Sequence, residues 1–170
     1  MSARFDHPMC KGVFATLFCS GLTLIDASGF AFADTIGRFE CNNVGAVSQE
    51  PIGDRDWHNL VGLQYSCVGV DGLLKGAVYT GSSISEWDGP KGMYLYSGGT
   101  IRSKGAFAVT QLLEGTGSVV MKDGQPAGAE AAGKAIFKFA SGVLAALAGR
   151  TFNFVSKPIG FGRFDVELSD

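Results

Sequence analysis

Few side chains in this chain combine the right type and spacing to do chemistry. His58 is a general-base candidate, since an imidazole titrates near neutral pH. Together with Asp56 and a serine it could be drawn as a Ser-His-Asp set. No GxSxG nucleophile elbow accompanies it, however, and between Trp57 and Asn59 at the entrance of a strand it reads as a surface or turn residue. Glu86-Trp87-Asp88-Gly89 sets two carboxylates around an aromatic ring. Glycosidase chemistry uses two carboxyl groups across a sugar, and residues two apart on a strand face one side. The plainer reading is a strand end with a solvated turn and a packing Trp87.

Tyr94 and Tyr96 alternate with Met93 and Leu95, so one face of that strand is expected to be aromatic with polar tips, suited to a barrel mouth. Arg102 and Lys104 near the next turn could meet an anionic group or simply be solvated. Gly115-Thr116-Gly117 lacks the third glycine and following helix of a dinucleotide fingerprint and reads as a bulge or corner in a strand. Glu86, Trp87, Tyr94, Tyr96 and Arg102 are therefore the candidate ligand-binding residues, and no catalytic residue is assigned. Downstream of residue 33 there are one histidine and two cysteines, without CxxC or HxxxH spacing, which is short of a zinc ligand set. No cofactor is expected.

The elements that must hold these residues are strands. Of 170 residues, 46% are hydrophobic and 18% charged, a balance that excludes disorder and allows one domain. The net charge of -2, with no run of like charges, excludes the basic face that nucleic acid or an electrostatically bound membrane surface requires. Val61, Leu63, Tyr65 and Cys67 alternate with small or polar residues at period two. Asp71-Gly72 and Asp123-Gly124 are tight-hairpin signals. Strands follow at Leu74–Glu86, Met93–Arg102, Ala106–Leu113, Ser118–Lys122, Ala129–Ala140, Thr151–Ser156 and Phe161–Leu168. Ser141–Gly149, bracketed by glycine, reads as one or two helical turns. Eight or nine strands with short connections leave no room for βαβ crossovers. The expectation is an all-β, antiparallel barrel with one short helical turn, a β-sandwich being the alternative. Twenty-five glycines fit many bulges and close approaches.

The first 33 residues read as a secretory signal peptide. Arg4 and Lys11 precede an apolar run from Gly12 to Ile25, which is too short to cross a bilayer. Ala31-Phe32-Ala33 offers a cleavage site after Ala33. Residues 34–170 are then one domain, periplasmic or secreted, with no membrane span in the mature chain. Cys41 and Cys67 lie in strand-like segments centred near Asp54, where Gly53-Asp54-Arg55-Asp56 supplies turn chemistry, so an antiparallel pairing would bring them together as a disulfide.

The stretch Phe139–Phe152, a short apolar turn between glycines followed by a strand, resembles a segment of allene oxide cyclase-like barrels. Trp87-Asp88-Gly89 and Thr100–Gly105 resemble segments of uncharacterised small secreted proteins of rhizobia and related soil bacteria. The resemblance implies a calycin-like eight-stranded barrel. It matches no catalytic residue of the cyclase to a position here, so its activity does not carry over. Three roles remain open: binding a small apolar molecule in the lumen, an isomerase, cyclase or hydrolase using the same cavity, or a structural or envelope-interaction protein with a packed barrel.

Overall fold

The structure, a computed structural model, describes residues 35–170; the signal-peptide reading of residues 1–33 lies outside them. The described residues form nine strands: β1 (Thr35–Asn43), β2 (Ser48–Pro51), β3 (His58–Gly72), β4 (Val78–Asp88), β5 (Lys91–Ser103), β6 (Ala106–Lys122), β7 (Gln125–Ala140), β8 (Thr151–Gly160) and β9 (Arg163–Ser169), with a 3-10 helix at Gly142–Leu147. Strands β3 to β9 run as successive antiparallel hairpins, and β1 pairs with both β9 and β3. The result is the expected closed antiparallel eight-stranded barrel, with β2 as an extra strand on β3.

Strand β2 was not legible in the sequence. Its Ser-Gln-Glu-Pro carries no β-branched or aromatic residue and every side chain is exposed. It pairs with β3 at Ser48↔Gly62 through Pro51↔Asn59, while β1 pairs with β3 further along, at Cys41↔Cys67. The two strands thus share one flank of β3, separated by the connection at residues 44–47. Asp123-Gly124 forms the expected two-residue turn, with φ of 52° and 76°. The Asp71-Gly72 expectation is corrected. Strand β3 continues to Gly72, and the connection to β4 is made by residues 73–77. Gly72 has φ 68°, and a Cβ there would sit 2.5 Å from the Ile36 carbonyl oxygen. The close approach to β1 therefore sets its conformation.

The two ends of the barrel are built differently. One end is closed. The connection 73–77 sends Leu74 inward, and the 3-10 helix sends Leu144 and Leu147, all about 1% exposed. The helix is pinned across the base by Ser141 N–H donating to Phe107 O and Gly149 N–H donating to Phe137 O. Phe39, Ile101 and Phe137 are fully buried above this plug, and the Phe137 and Phe152 rings lie 4.4 Å apart. At the other end β6 and β7 run past their neighbours: β7 pairs with β8 from Ala131↔Ser156 to Ile136↔Thr151, and beyond that the ladder stops although Gly128 still packs closely against Pro158. Among the described residues no helix is long and apolar enough to cross a membrane.

Cys41 and Cys67 face each other across the β1–β3 seam with Cα atoms 3.9 Å apart and form the expected disulfide, both side chains being buried. The bond closes a loop spanning 26 positions. Replacing both cysteines by alanine is expected to lower the unfolding free energy by about 3 kcal/mol, measured by urea denaturation under oxidising conditions.

Candidate functional site

Above the plug the barrel leaves a cavity of about 90 Å³, lined from every barrel strand except β1. Its wall combines aliphatic and aromatic carbon (Leu63, Leu112, Phe152, Phe154, Phe164, Val166) with the hydroxyls of Tyr65, Tyr79, Tyr94, Ser83, Ser97, Thr110 and Ser156. No lining residue carries a charge. Four of these hydroxyls form a chain at the floor. Tyr79 Oη lies 2.9 Å from Thr110 Oγ1 and 3.1 Å from Tyr65 Oη, which lies 3.4 Å from Ser97 Oγ. Backbone geometry makes room for the rings: a Cβ at Gly99 would come 2.1 Å from the Thr80 carbonyl oxygen and 2.8 Å from the Tyr79 ring.

Burial pushes the phenols of Tyr65, Tyr79 and Tyr94 upward from their ordinary value. They remain protonated at neutral pH, able to hydrogen-bond a guest but not to act as bases.

Of the five candidate residues taken from the sequence, Tyr94 alone lines this cavity. The expectation that Tyr94 and Tyr96 share a face fails at a β-bulge: Ile84 pairs with Tyr96 and Ser85 with Tyr94, leaving Leu95 as an extra residue. Tyr94 and Ser97 point in, and Tyr96 is exposed. Trp87 caps the inner side of β4, its ring lying where a Cβ on Gly92 or Gly117 would fall, and its Nε1–H donates to Ser85 Oγ. Arg102 is exposed on β5 near the closed end, away from the cavity. Gly115 and Gly117 sit within β6 in regular register with Gly133 and Ala131; the bulge falls just before them, between Leu112 and Glu114, and not at the glycines where the sequence placed it.

Glu86 belongs to a second cluster, outside the lumen. His58 is buried, not the surface or turn residue the sequence suggested. Its Nδ1 lies 2.5 Å from Asp54 Oδ1 and its Nε2 2.7 Å from Glu86 Oε1. With a carboxylate at each ring nitrogen, the surroundings favour the imidazolium, in which both nitrogens donate. Arg55 extends the set, donating to Asp54 and to Asp88. Asp88 thus joins Glu86 on the outer face, and Asp56 takes no part in these bonds. The cluster fastens the 52–57 loop to the end of β4. Hydrogen bonds to Asp54 and then Glu86 raise the His58 pKa above its ordinary value, against opposing burial and the Arg55 charge. The bond to His58 likewise lowers that of Asp54.

Comparison with protein-family models, curated proteins and solved structures finds no match for this chain. Nothing in those comparisons links it to the allene oxide cyclase-like or rhizobial proteins that Phe139–Phe152 and the other segments resemble.

Two outcomes follow from this geometry. Tyr79→Phe, which breaks the hydroxyl chain and leaves Tyr65 and Thr110 without their shared partner, is expected to destabilise by about 1–2 kcal/mol in urea unfolding. A histidine with a raised folded pKa contributes stability that is complete below its unfolded value of about 6.5 and is lost as pH rises through the folded one. The urea midpoint is therefore expected to fall between weakly acidic and weakly alkaline pH, and His58→Gln to flatten that slope.

Proposed function

We propose that the protein is an exported barrel that holds a small, neutral, largely apolar molecule in the open half of its lumen. One observation carries this reading: the cavity wall is apolar surface studded with hydroxyls and free of charged groups. Such a wall favours a guest with one or two hydrogen-bonding groups and no net charge, because a buried unpaired charge costs far more than any contact here returns. At about 90 Å³ the space is well under the roughly 300 Å³ where drug-sized pockets begin, so the guest is small.

The enzyme reading has less support. Acid–base catalysis requires a group titrating near neutral pH within reach of the substrate. The lumen offers phenols driven the other way, and His58 is engaged by two carboxylates outside it. The packed-barrel reading describes the closed half of the lumen. Export is supported by the N-terminal sequence pattern and by the Cys41–Cys67 bond, which persists in an oxidising compartment.

Phenol serves as a probe of the right size and polarity. It is expected to bind with Kd below about 1 mM by titration calorimetry, and Ala131→Phe, which fills the cavity wall, to abolish the heat. Native mass spectrometry of protein purified from its producing cell is expected to show a small neutral adduct. Absence of both signals refutes the reading.

A further inference from the structure

The hydroxyls of the lumen divide into two groups. Those at the floor are spent on one another. Thr110 Oγ1 donates to the Gly99 carbonyl oxygen at 3.5 Å, so Tyr79 donates to Thr110, Tyr65 to Tyr79 and Ser97 to Tyr65. Every proton of that chain is committed, and none is left for a guest. Ser85, which faces inward further along β4, is also engaged, accepting from Trp87 Nε1 and donating to Val61 O. The other hydroxyls of the cavity wall are those of Tyr94, Ser83 and Ser156, and none of them has a hydrogen-bond partner among the described residues. Only Asp165 Oδ1 is both fully buried and unpartnered among those residues, so these three oxygens open onto the cavity instead of into packed protein. Tyr94 is the strongest donor of the three, because a phenol is more acidic than an alkyl alcohol and shares its lone pair with the ring. Burial and then the neighbouring Tyr65 push its pKa up, with no hydrogen bond acting on it. Tyr94 and Ser83 stand on β5 and β4. Four strands further round the ring, β9 and β8 supply Phe164, Val166 and Phe154 to the opposite wall.

We propose that the lumen selects a small uncharged carbonyl compound, whose oxygen accepts a hydrogen bond from Tyr94 Oη while its hydrocarbon lies against Phe154, Phe164 and Val166. The inference rests on the reading of the lumen as a site for a neutral guest, and adds that the guest's polar group is an acceptor. A buried donor left unmet costs free energy, so a guest that meets it is favoured over a hydrocarbon of the same shape. A ketone or ester brings lone pairs and no proton that would itself need a partner. A guest donor would find at the floor only oxygens already bonded to one another. A carboxylate would meet no cation, because no residue of the wall carries a charge.

Two probes of one shape test it: cyclohexanone, and methylenecyclohexane, which has a methylene group where the ketone has its oxygen. Chemical-shift titration of the protein gives the affinity for each. Tyr94→Phe, which removes the hydroxyl and keeps the ring, is expected to weaken cyclohexanone binding about tenfold and to leave methylenecyclohexane binding no weaker. The carbonyl carbon resonance of bound cyclohexanone is expected further downfield in the parent than in the variant, as a hydrogen-bonded ketone requires. The urea midpoint of Tyr94→Phe should not fall, unlike that of Tyr79→Phe, because its hydroxyl has no partner to lose. A fall there would assign the hydroxyl to the fold and overturn the proposal. Cyclohexanone affinity indifferent to the substitution, or an equal loss of both probes, overturns it while leaving a neutral guest in the lumen. Binding of neither probe by the parent overturns it together with the reading on which it rests.

Discussion

Strand β1 meets β9 along one edge and β3 along the other, and this double pairing turns a linear run of hairpins into a cylinder. The contact is demanding. The chain must bring its first described strand to its last before the lumen can exclude water, which is the kind of long-range pairing that loop-closure entropy opposes. The disulfide lies on the β1–β3 side of this seam, where it holds the closure with a covalent bond and shortens the loop that must be ordered. Phe39, on the same strand, then packs into the closed half with its ring 5.6 Å from that of Tyr79. Closure and core formation are one event on this strand.

Below the hydroxyl chain the interior is apolar side chains and the buried disulfide, packed against Leu74, Leu144 and Leu147. Above it the wall is mixed and partly open. The chain is the boundary between the two. Tyr65, Tyr79 and Thr110 are buried deeply enough that each hydroxyl needs a partner, and they find one another, so the floor of the cavity is fixed by mutual satisfaction. If the cavity holds a guest as proposed, a floor of hydroxyls without charge selects it by size and polarity.

Much of the fold was legible because its signals are local: alternation at Val61–Cys67, the Asp123-Gly124 turn, and glycine-bracketed Ser141–Gly149, which became a 3-10 helix because Leu144 and Leu147 are both drawn beneath the barrel. The disulfide followed from symmetry about Asp54. Long-range effects were not legible. A bulge at Leu95 reversed the facing of Tyr96, and alternation alone gives no sign of where an extra residue will be accommodated. His58 read as a surface residue because its partners are contributed by Asp54, in the preceding loop, and by Glu86, 28 positions away. The lumen wall draws from most of the strands at once, so Ser83, Ser97, Thr110 and Ser156 carried no mark that set them apart from outward-facing hydroxyls. A glycine count does not show which glycines matter to packing: Gly99 and Gly117 are the spaces into which Tyr79 and Trp87 fit.

A closed cylinder has no free strand edges, but several stretches here lack a ladder partner on one side, among them β2, the start of β7 and the end of β8. Each of these three contains a proline, at Pro51, Pro126 and Pro158. An imide nitrogen cannot donate to an incoming strand, so each of these three stretches is a poor template for another chain. Those three stretches are thereby disfavoured as sites for an added strand, whatever the stability of the cylinder itself.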